Sequence, residues 1–108
     1  MNTPKQKTAK VKICGITRVQ DAEKALALGV DAIGLNFWPG TPRCIEIDKA
    51  RDIASLAKGR ALIIGVFVDA SMEEILRLYE EIGLDEVQLH GSETPEFLSS
   101  LKLPAYKV

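Results

Sequence analysis

The chain has no apolar run approaching the roughly 20 residues that cross a bilayer, so a helical membrane span is not expected. It also lacks a dominant charge. Fourteen basic against 15 acidic residues leave a formal net charge of −1, which gives no overall field to draw nucleic acid or an anionic membrane. Neither is expected as a partner. Cysteine is scarce: Cys14 and Cys44 stand in different strand-to-helix units, without metal-ligand spacing and with no apolar leader before them. A disulfide framework and a metal site lose support, and a reduced, cytoplasmic setting is expected, with no cofactor. Histidine occurs once, at His90.

What is present suits one small α/β domain. The 108 residues are 46% hydrophobic, enough for a modest core. Residues 1–10, MNTPKQKTAK, are polar and lysine-bearing and are expected to form a loose tail ahead of a domain over residues 11–108. From Val11 onward, short apolar runs alternate with amphipathic stretches punctuated at both ends, the grammar of βα units around a parallel sheet. Strands are expected at Val11–Cys14, Ala32–Phe37, Leu62–Val68, Glu86–Leu89 and, cut short, Ala105–Val108. Thr17 with Gln20 and Ser71 with Glu74 have capping-box spacing, Pro95 sits where a helix tolerates proline, and Gly29, Gly59 and Gly83 are helix stops. A second helix is expected from about Asp48 to Lys58, after an unusually long loop, Trp38-Pro39-Gly40-Thr41-Pro42. In the third helix Ile75, Leu76, Leu78, Tyr79 and Ile82 are expected to face inward.

Two architectures share this beginning: an open doubly wound sheet and the first half of an eight-stranded barrel. A flavodoxin-like signalling receiver would use an acidic pair after strand one, an aspartate after strand three and a lysine after strand five. Asp69 and Lys107 fall in tempting places, but Cys14-Gly15-Ile16 offers no carboxylate to hold the cation such chemistry requires. For a barrel, the strand ends hold Cys14, Asn36 with Arg43 beyond it, Asp69, and Gln88 with His90. A thiol, a guanidinium, amides and an imidazole on one rim suit an anionic small-molecule substrate. Each has a plainer reading. A free cysteine is commonly a small core residue, a loop arginine is usually solvated, and a strand-end histidine can be hydrogen-bonded without a ligand.

Taken together, Val11-Lys12-Ile13-Cys14-Gly15-Ile16-Thr17, Gly34-Leu35-Asn36-Phe37-Trp38-Pro39 through Pro42-Arg43, Gly65-Val66-Phe67-Val68 and Val87-Gln88-Leu89-His90-Gly91 resemble the phosphoribosylanthranilate isomerases. The resemblance runs from Val11 to Val108. It implies a TIM (βα)₈ barrel of which this chain is the N-terminal half, four βα units plus the start of strand five. It also implies the Amadori rearrangement of N-(5′-phosphoribosyl)anthranilate in tryptophan biosynthesis, an internal aldose-to-ketose isomerisation. In that reaction a general acid opens the ribose ring, and the resulting iminium acidifies the C2′ proton for removal by a base. By resemblance Cys14 is that base, a thiol whose ordinary pKa of about 8.5 suits the task. Arg43 would hold the anthranilate carboxylate. Gln88 and His90 would orient the substrate, with Asn36 and Asp69 as weaker candidates. Cys44 stands where the family has an aromatic residue and is read as structural. The family's acidic aspartate and phosphate-binding loops would lie beyond Val108. A chain ending there is expected to need a partner, either the C-terminal half or another copy meeting its open strand edges. On its own it is expected to be inactive, and an inert assembly fragment is the alternative to an isomerase.

Overall fold

The computed structural model describes residues 11–108, and the tail expected over residues 1–10 lies outside them. The strands are β1 (Lys12–Cys14), β2 (Ala32–Asn36), β3 (Leu62–Phe67), β4 (Glu86–Leu89) and β5 (Ala105–Lys107). Between them lie α1 (Val19–Ala27), α2 (Ile47–Ala57), α3 (Met72–Leu78), which runs into a π turn over Tyr79–Gly83, and α4 (Pro95–Leu101). All pairings are parallel, in the order β1-β2-β3-β4-β5. A doubly wound sheet reverses its strand order at a switch point; here the order never reverses, which overturns the flavodoxin-like alternative.

Side-chain parity divides the sheet into two unlike faces. Ile33, Leu35, Ile63, Phe67, Val87 and Leu89 are buried on one face, in a single cluster with Ala22, Ala50, Ile53, Ile75 and Leu101 from the helices. Burial of each such large side chain contributes about 1.5–3 kcal/mol. The Phe37 and Phe67 rings stack within it, centroids 5.3 Å apart. The opposite face carries Lys12, Cys14, Asn36, Val66, Gln88 and Tyr106, as the registers Cys14↔Gly34, Asn36↔Val66, Val66↔Gln88 and Gln88↔Tyr106 require. The sheet curls toward this face. Lys12 Nζ on β1 donates to Gln88 Oε1 on β4 at 2.6 Å, although those strands are three spacings apart, about 14 Å in a flat sheet.

Several helix signals act as expected. Ser71 Oγ accepts from the Glu74 N–H at 3.1 Å, and Thr94 Oγ1 accepts from the Phe97 N–H at 3.1 Å ahead of Pro95. Three expectations need correction. The Thr17–Gln20 capping box does not form: Ile16 is drawn into the core at 6% exposed, and α1 begins two residues past Thr17, with Arg18 at its N-cap and no side-chain cap. The third helix is not uniformly α-helical. Its π turn changes the phase after Leu78, and Leu76 is 38% exposed rather than inward. Val11, Phe37, Val68 and Val108 lie one residue outside the strands expected to include them, although the Phe37 N–H still donates to the Val66 carbonyl at 3.0 Å and the Val108 N–H to the Leu89 carbonyl at 2.9 Å.

Candidate active site

The carboxyl ends of the strands surround an open cleft of about 360 Å³, lined by Cys14, Asn36, Trp38, Thr41, Gln88 and His90, with Val66 and Val68 as apolar wall. Cys14 is a free thiol and exposed, so its reading as a core residue is overturned. Its position depends on the residue across from it in β2. A Cβ at Gly34 would stand 2.8 Å from Cys14 Sγ, so only glycine leaves the thiol this room.

Arg43 reaches the same corner. The turn after β1 places Gly15 at φ +83°, a conformation that favours glycine, and the Arg43 side chain lies across it, with Cδ 2.8 Å from where a Cβ would be. Among the described residues the Arg43 guanidinium has no hydrogen-bond or ion-pair partner. Arg43 is not itself among the residues lining the cleft, but an exposed, uncommitted planar cation across Gly15 can receive a carboxylate. The loop that delivers it is held locally: Asn36 Oδ1 accepts from the Trp38 N–H at 2.9 Å, Thr41 Oγ1 from the Arg43 N–H at 3.2 Å, and Asn36 O from the Ile45 N–H at 2.9 Å. The Asn36 side-chain oxygen thus serves the loop as well as lining the cleft.

Cys44 forms a one-residue bridge with Asn36 and is half-buried. Burial pushes its thiol pKa up, and the charge of Glu74 adds to the rise. Iodoacetamide at about pH 8 is expected to alkylate Cys14 well before Cys44, since thiolate content and access set the rate. Gly34→Ala should change the Cys14 rate and leave that of Cys44 alone, read by mass spectrometry of the labelled peptides. Equal rates at both cysteines would contradict the exposed, Gly34-backed thiol.

Gln88 and His90, two apart along β4 and its exit, share the cleft face and are in hydrogen-bond contact through Gln88 Nε2 and His90 Nε2. Gln88 Oε1 accepts from Lys12 Nζ at 2.6 Å and from the Tyr106 hydroxyl at 2.7 Å. Asp69 stands apart from the cleft. It sits in a left-handed turn at φ +53°, and its Oδ1 accepts from the Ser92 N–H at 2.7 Å. Lys107 does not meet Asp69; it binds Glu93 at 3.3 Å and the Gly91 carbonyl.

Sequence reasoning passed over Lys12, Tyr106 and Glu93. The Glu93 side chain is 3% exposed and joins three strand exits, accepting from the Asp69 N–H at 2.7 Å, from the Gly91 N–H at 2.8 Å and from Lys107. Burial alone would raise its carboxyl pKa. The amide donors of Asp69 and Glu93 itself, the Lys107 ammonium and the Gly91 amide outweigh burial and hold it below the ordinary range. A larger cavity of about 510 Å³ lies at the opposite ends of the strands, beside Asp31, Arg60, Leu62 and Asp85. It holds no thiol or imidazole, and Asp85 there is already accepting from the Ile63 N–H.

Sequentially ordered parallel strands with a cleft at their carboxyl ends that gathers a thiol, amides and an imidazole define a βα-repeat protein of the kind that carries chemistry on that rim. The model of the family described as N-(5′phosphoribosyl)anthranilate (PRA) isomerase matches residues 11–108, and the chain belongs to that family. It is 48% identical over 88 residues to the N-(5′-phosphoribosyl)anthranilate isomerase of Rubrobacter xylanophilus, covering 82% of this chain and 43% of that one. Its fold is similar to the crystal structure of the Thermotoga maritima isomerase, with a TM-score of 0.88 and 35% identity over 93% of this chain and 50% of that one. It is equally similar, at a TM-score of 0.88 and 35% identity, to a family structure in complex with reduced 1-(o-carboxyphenylamino)-1-deoxyribulose 5-phosphate, covering 93% of this chain and 53% of that one. The chain thus spans about half the length of the relatives it matches.

Proposed function

We propose that this chain is the N-terminal half of a (βα)₈ barrel and supplies the base and the anthranilate-binding side of a phosphoribosylanthranilate isomerase site. The observation that carries this reading is the exposed Cys14 thiol together with the uncommitted Arg43 side chain laid across Gly15, the next residue. In the proposed reaction the Arg43 fork holds the anthranilate carboxylate, which places C2′ of the opened sugar at Cys14. The thiolate takes the C2′ proton, and the electron pair moves into the adjoining iminium to give the enolamine, which then becomes the ketose. Gln88 and His90 orient the sugar. The acid that opens the ring and the phosphate-binding loops come from the rest of the barrel, joined to Val108 or supplied as a separate polypeptide. The thiol must stay reduced, which suits a cytoplasmic setting.

Trp38 provides a direct test, since it is the single tryptophan and lines the cleft. Anthranilate is expected to quench its fluorescence, and Arg43→Ala to weaken that binding roughly tenfold or more, the loss of a bidentate charge-assisted pair. In the assembled isomerase the same change should appear mainly in KM. Binding unaffected by Arg43→Ala would remove the assigned carboxylate site.

An inert assembly fragment remains the second reading, favoured by the edges. Among the described residues strands β1 and β5 each have one neighbour, which leaves their outer edges for pairing with a C-terminal half or with another copy. Anthranilate binding without turnover under any reconstitution would favour it.

A further inference from the structure

Gln88 is a buried polar residue, at 4% exposed, and its surroundings determine which way its amide faces. Lys12 Nζ lies 2.6 Å from one terminal atom and the Tyr106 hydroxyl 2.7 Å from the same atom. An ammonium has donors only, so the atom it touches is the carbonyl oxygen. Turning the amide over would set its NH₂ against the Lys12 ammonium. The NH₂ therefore faces His90, and the ring atom in contact with it, Nε2, must accept. A neutral imidazole that accepts at Nε2 carries its proton on Nδ1.

We infer that Lys12, Tyr106 and Gln88 form a relay that fixes neutral His90 as the Nδ1–H tautomer, so that its ring offers the cleft a hydrogen-bond donor and no acceptor. This is opposite to the form a free histidine side chain prefers. His90 is exposed and lines the cleft, and Gln88 is its one side-chain partner among the described residues, leaving Nδ1–H uncommitted. The ligand group it fits is an oxygen acceptor, a carboxylate or a sugar oxygen. Only the naming of that acceptor as part of phosphoribosylanthranilate rests on the isomerase reading. The relay members are positioning residues. They come from β1, β4 and β5, so the tautomer depends on the curl of the sheet.

With a single histidine in the chain, long-range proton–nitrogen correlation spectra of the ¹⁵N-labelled protein at about pH 8.5, above the ordinary imidazole range, read both ring nitrogens directly. The expected wild-type pattern is Nδ1 protonated and Nε2 bare, in roughly two- to tenfold excess, as one net hydrogen bond implies. Gln88→Glu sets an acceptor-only carboxylate against the ring and should reverse the pattern to Nε2–H. Lys12→Met combined with Tyr106→Phe frees the amide to turn and should give a mixture. Backbone amide spectra show whether each variant is folded. A wild-type ring protonated at Nε2 overturns the inference, as does a folded Gln88→Glu chain with an unchanged pattern. Should Gln88→Glu fail to fold, the wild-type spectrum decides alone. No turnover is read, so this result and the isomerase reading can fail separately.

Discussion

Cys14→Ala is expected to lower kcat of the assembled isomerase by about 10²–10⁴-fold, the range lost when a general base is removed, while KM changes little. Cys14 is exposed at the end of β1, its Sγ rests over Gly34, and Arg43 lies across the adjoining Gly15. A carboxylate on that guanidinium and a proton delivered to that thiol belong to neighbouring parts of one substrate. Because the side chain is exposed and supports no packing, folding stability should move by less than about 0.5 kcal/mol, so a fall in kcat cannot be assigned to unfolding. Steady-state kinetics and urea unfolding of the same preparation check both halves of this statement. Turnover retained by Cys14→Ala would remove the assigned base.

Glu93→Ala is expected to destabilise the fold by about 2–4 kcal/mol, because it strands two backbone N–H donors and a lysine that now meet a buried carboxylate. Those donors lie at the exits of β3, β4 and β5. Losing them should loosen the rim that carries His90. The carboxyl is held below its ordinary range when folded, so its contribution is fully present above the unfolded carboxylate value of about 4.3. It is lost as pH falls through the lower folded value. Glu93→Gln should therefore flatten the acid limb of the stability profile below about pH 5, as measured by urea unfolding. An acid limb as steep in Glu93→Gln as in the wild type would show that this carboxyl is not a source of the pH dependence.

The local grammar of the chain was legible because each signal is spent within a few residues. Ser71 and Thr94 cap their helices, and Gly29, Gly59 and Gly83 stop theirs with φ of +80°, +79° and +85°. The strands fall where apolar runs predict them. Strand order was not legible, since an open sheet and a barrel share the same βα alternation, and only the pairings decide. Thr17 misled because burial of Ile16, a tertiary effect, sets where α1 begins. Leu76 misled because it lies about 100° round the helix from Ile75, past the edge of the stripe that Ile75 and Leu78 bury.

The site was legible where chemistry and sequence position coincide, and opaque where side chains from distant strands converge. Cys14, Asn36, Gln88 and His90 stand at strand ends and line one cleft. Arg43 was marked by its proline-bounded loop, and the open carbon of Gly15 is what lets its side chain lie across the turn after Cys14. Lys12, Gln88 and Tyr106 are 76 and 18 positions apart in sequence, and nothing local announces their meeting. The parity of β1 could have flagged Lys12, since it shares a face with Cys14. Glu93 looked like an ordinary loop acid, and its burial follows only from the convergence of three strand exits. Asp69 illustrates the converse: it was marked by position, and its carboxylate is engaged with the Ser92 amide.

The central claim is that this chain holds one side of an isomerase site whose other side lies in the rest of the barrel. Turnover of N-(5′-phosphoribosyl)anthranilate tests it most directly, measured for the 108-residue chain alone and again after it is joined to the C-terminal half of a family relative. The account predicts no turnover by the chain alone and measurable turnover by the assembly. Turnover by the isolated chain, or none from a folded assembly, would contradict it.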